Sequence, residues 1–71
     1  MKQYIFDTIS QALTGEREKH ILNVRVMLDN PIAIHDHTDF VSAIELELEK
    51  ISEYTDKLEA LELVHSRDST V

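Results

Sequence analysis

From Phe40 to Leu61, apolar residues recur at helical spacing: Phe40, Ile44, Leu48, Ile51, Tyr54, Leu58 and Leu61 are separated by four, four, three, three, four and three positions. An α-helix of about six turns brings all of them to one side, as an unbroken stripe on an otherwise acidic surface. Such a stripe must be covered by another helix. The chain therefore reads as a packing and assembly module before it reads as a catalyst.

The segment from Lys2 to Leu28 is also predicted helical. At 100° per residue, Ile5, Phe6, Ile9, Ala12, Leu13, His20, Val24, Met27 and Leu28 share one face, and Gly15 falls on the opposite side. The stripe keeps its phase across Gly15, which favours one long helix over two short ones; Thr14-Gly15 is where it would break. A competing pattern runs through Leu22, Val24, Val26 and Leu28, which alternate with Asn23, Arg25 and Met27 as a half-buried strand would. Paired with Ile32-Ala33-Ile34 across an Asp29-Asn30-Pro31 turn, it would give an isolated two-stranded hairpin, which is marginally stable at best. The helix is the preferred reading.

Pro31 cannot extend the first helix and disfavours the α conformation at Asn30, so that helix should stop between Leu28 and Asn30. Asp36 is a suitable N-cap for the second, with Asp39 at its third position and Thr38 as the alternative cap. The expected fold is all-α: an antiparallel two-helix hairpin of long helix, Asn-Pro turn and long helix over residues 1–63, assembling into a helical bundle. The polar, aperiodic stretch 64–71 should form a frayed tail. About a symmetric turn, facing residues should have numbers that sum to about 65, so that Ile21 meets Ile44, Thr14 meets Ile51 and Asp7 meets Leu58. Glu47 lies on the apolar stripe, where an unpaired carboxylate is costly, and is predicted to pair with Arg17 or His20 or to lie at an open seam.

Leu22 and Val26 lie away from the main stripe of the first helix, and Leu46 away from that of the second. With Ile32 and Ile34 at the turn, they form the candidate contact between protomers, most simply in a four-helix bundle of two hairpins. The alternative is that they are scattered exposed apolar residues.

Size makes self-association the expected supplement to stability. A chain of 71 residues gains little from its own core, and with no cysteine it has neither disulfides nor thiolate chemistry. No apolar run approaches the roughly 20 residues of a membrane span, and the N-terminus lacks the apolar core of a secretion signal. Between Asp36 and Glu62 stand nine acidic residues against Lys50 and Lys57, a net of −7 that equals the charge of the whole chain. That face repels phosphate, so no nucleic-acid partner is expected. It resembles a nucleic-acid mimic in charge, but Lys50 and Lys57 interrupt the run, and a charged outer face serves solubility.

His35-Asp36-His37-Thr38-Asp39 is the one close cluster of ligand-type residues. His35 and His37 diverge unless the backbone is extended, and His20 and His65 lie elsewhere, so the cluster reads as cap and solvated loop with no metal or cofactor expected. With a single glycine there is no phosphate-cradling loop, and the carboxylates are spread as on a solvated helix face. No catalytic residue is assigned.

Asn30-Pro31-Ile32, His37-x-Asp39, Ile44, Leu48-x-Lys50-Ile51 and Asp56-Lys57-Leu58-Glu59-x-Leu61 together resemble small helical proteins of T4-related tailed phages from marine environments, many infecting cyanobacteria. The resemblance spans about Asn23 to Glu62; Ala33 and His35 stand where that family would carry small residues, often glycine. It implies a phage product in the infected bacterial cytoplasm or in the virion, and carries over no catalytic residue. The expectation is a non-enzymatic, self-associating assembly or protein-binding factor, with a dimer favoured. The alternative is a regulator that binds and inhibits a host protein through its acidic helix.

Overall fold

A computed structural model describes residues 1–30 and 37–69. It contains two helices, α1 (Lys2–Asp29) and α2 (His37–Ser69), packed antiparallel against each other, with no strand among the described residues. The strand alternative for Leu22 to Leu28 is thereby excluded, since this segment continues the last turns of α1.

Helix α1 runs through Gly15 without a break, because the position faces solvent and its backbone stays helical. The helix stops at Asn30, whose side-chain amide donates to the carbonyl oxygen of Val26 at 2.9 Å and whose backbone N–H donates to that of Met27 at 3.3 Å. Both bonds satisfy carbonyls that a helix end leaves without partners. Helix α2 starts at His37 with Asp39 in its first turn; the expected cap Asp36, the loop residue His35, and Ile32 and Ile34 lie outside the described residues.

The seam alternates spacings of three and four. On α1 it comprises Phe6, Ser10, Leu13, Arg17, His20, Val24 and Met27, and on α2 Phe40, Ile44, Glu47, Ile51, Tyr54, Leu58, Leu61 and His65, all of them half-buried. This is the left-handed coiled-coil pattern. Two expectations change here. Facing residues sum to between 67 and 71 rather than 65, because Asn23 and His20 reach Glu47, Phe6 stacks on His65 and Lys2 reaches Asp68. Side-chain partners along the seam, rather than the midpoint of the turn, set the register. The helix also continues past residue 63 to Ser69 in place of a frayed tail, since His65 and Asp68 both find partners on the first two turns of α1.

Two helices leave little interior. The molecule measures 55 × 16 × 12 Å with a radius of gyration of 16.3 Å, against about 11 Å for a compact chain of this length. No described residue is fully buried.

Candidate protein-interaction site

The polar layer of the seam is built around Glu47. Nδ1 of His20 donates to Oε2 of Glu47 at 2.5 Å, and the Asn23 amide lies 3.3 Å from both carboxylate oxygens. The hydrogen bond from His20 holds the Glu47 carboxyl below the usual glutamate range; partial burial opposes this, while Asn23 and the charges of His20 and Lys19 reinforce it. The pairing expected for Glu47 is thus made by His20. Arg17 stays apart, its Nε 3.7 Å from Oε1 of Glu18, which is too long for a hydrogen bond. The Tyr54 ring lies nearly parallel to that of His20 at 6.0 Å, with the Lys57 ammonium 5.3 Å from the Tyr54 centroid. Both carboxylate oxygens of Glu47 are thus engaged within the seam, in a structural polar layer.

At the open end the Phe6 and His65 rings stack with centroids 3.9 Å apart. Beside them Ile5, Ile9, Leu61 and Val64 line a shallow cleft of about 220 Å³, bordered by the Lys2–Asp68 pair at 3.4 Å. No group of three metal-ligating side chains occurs among the described residues. None of the helices there is long and apolar enough to cross a membrane.

Of the candidate interface residues, the three that are described do not share one face of the hairpin. Leu22, Val26 and Leu46 are all exposed, but Leu22 and Val26 project about 160° from the α1 seam, on the outer side of that helix, and Leu46 about 120° from the α2 seam. Ile32 and Ile34 lie outside the described residues.

A more continuous surface flanks the seam. Because Ile9 and Val64 line the same cleft, one flank of the hairpin carries Ile9, Glu16 and Asn23 of α1 beside Lys50, Lys57 and Val64 of α2. The other carries Thr14, Ile21 and Leu28 beside Val41, Leu48 and Thr55. The first is interrupted by charge, with Lys19 2.8 Å from Glu16 and Glu53 bridging to both Lys50 and Lys57. The second has no charged residue among these six. Sequence patterning assigned Leu28 and Leu48 to the main stripes; only the position of the opposite helix separates the seam from its flank.

No protein-family model, curated protein or solved structure matches this chain.

Proposed function

We propose that this chain is a non-enzymatic, phage-type helical hairpin that acts by self-association, as a small assembly or protein-binding factor in the infected bacterial cytoplasm or the virion. The observation that carries this reading is that none of the described residues is fully buried, in a hairpin whose seam and flanks hold many large apolar side chains. A core that two helices cannot close is completed by further helices of the same kind. Light scattering over a range of concentrations, with circular dichroism on the same samples, tests it. A helical oligomer supports the reading, and a stable helical monomer at every concentration overturns it.

A second reading, a regulator that binds and inhibits a host protein, draws on the outer surface of α2. Glu45, Glu49, Asp56 and Glu59 are exposed there and offer a row of carboxylates to a basic surface. Recovery of a stoichiometric host protein with the tagged chain, lost when these four residues become glutamine, would favour this reading over the first.

A further inference from the structure

We infer that the uncharged flank formed by Thr14, Ile21, Leu28, Val41, Leu48 and Thr55 is the surface on which a second copy of this chain docks, giving a two-fold dimer of hairpins. The inference rests on the self-association proposed above and assigns the face that carries it.

Area is the first argument. A folded protein of 8.2 kDa presents about 4,500 Å² of accessible surface, whereas this chain presents 5605 Å². The excess, about 1,000 Å², matches the roughly 800 Å² that each partner contributes to a stable interface of standard size.

Charge and apolar character select the face. Leu28, Val41 and Leu48 are 57%, 52% and 50% exposed although they border the seam directly, and they stand on the same side of the hairpin, with Ile21 half-buried between the two helices. A second hairpin laid on this flank extends the existing seam sideways, so that three-four packing continues into a four-helix bundle. Toward the open end the flank closes with Asp7 and Glu62, and along its sides with Arg25 and Glu45, which supply the polar rim such interfaces show.

Charge also distinguishes the occupant. A basic partner would be drawn to the acidic outer surface of α2, not to a flank without charge. Six of the nine acidic residues of α2 (Asp39, Glu45, Glu49, Glu53, Asp56 and Glu59) project outward or sideways from its seam. Pairing through the neutral flank lets two copies, each of net charge −7, associate while keeping most carboxylates at the periphery. A neutral apolar face selects another of its kind, and this chain supplies one by symmetry.

The absence of native cysteine makes the test direct. Single-cysteine variants Leu28→Cys, Leu48→Cys, Leu22→Cys and Leu46→Cys are alkylated with a maleimide, each rate being referred to the same variant unfolded in urea, and their molar masses are measured by light scattering. The expected result is a dimer mass, with Cys alkylation at positions 28 and 48 slowed at least tenfold more than at 22 and 46. A dimer in which 22 or 46 is protected instead, or all four equally, overturns the assignment of the face and leaves self-association standing. A monomer mass for all four variants and for the unsubstituted chain overturns both.

Discussion

Nδ1 of His20 and Oε2 of Glu47, from residues 27 positions apart in the chain, meet at 2.5 Å across the seam, where their side chains are only 16% and 23% exposed. This contact, reinforced by Asn23, fixes the relative height of the two helices.

The Glu47 carboxyl titrates below its ordinary value of 4.5 when folded, chiefly because His20 bonds to the charged form. A group depressed in this way contributes stability that is fully present above the unfolded value and is lost as pH falls through the folded one. Glu47→Gln should therefore cost about 1 kcal/mol near neutrality, the scale of one hydrogen bond. Urea titrations at a series of pH values should show the two proteins converging as pH falls below 4.5. A gap that widens on acidification would contradict the assignment.

Gly15 offers a stabilising substitution. Its backbone is helical without a positive φ, and a Cβ at this position would meet nothing within 4 Å. Gly15→Ala should raise stability by about 0.5–1 kcal/mol through helix propensity alone, read as a higher urea midpoint with unchanged molar mass.

Substitutions two positions apart on α2 should behave oppositely. Ile51 lies half-buried in the seam, so Ile51→Asp should cost at least about 3 kcal/mol and abolish the helical circular dichroism signal. Glu53 makes only surface bridges, to Lys50 at 3.4 Å and Lys57 at 3.8 Å. Glu53→Ala should change stability by no more than about 0.5 kcal/mol.

The aromatic stack at the open end governs the last turns of α2. Removing it with His65→Ala should cost about 1 kcal/mol and speed amide exchange from Val64 to Asp68 while leaving exchange around Glu47 unchanged. Equal acceleration at both places would mean that the hairpin opens as one unit.

Much of this architecture was legible in the residues. Spacing alone defines both helices, because an apolar period of three and four survives any uncertainty about their ends, and the phase of the stripe across Gly15 indicates a single helix. The cost of burying a lone carboxylate anticipates a partner for Glu47, and His20 provides it. Register and the C-terminal boundary were less accessible, since both depend on contacts between helices. A polar segment such as His65 to Ser69 looks frayed until Phe6 and Lys2 are placed beside it. The one hint was that His65 follows Leu61 by four positions, continuing the stripe. The surface flank was hidden for a related reason: a helical wheel drawn without its neighbour merges Leu48 with Ile44 and Ile51.

The antiparallel pairing also dictates an order of assembly. Phe6 and His65 are roughly twice as far apart in sequence as His20 and Glu47, and each doubling of a loop adds about 0.6 kcal/mol to the entropy of closing it. Closure entropy therefore favours contacts near the turn forming before the aromatic stack. By the same preference the open end should part before the His20–Glu47 layer, the order that the amide-exchange comparison reads.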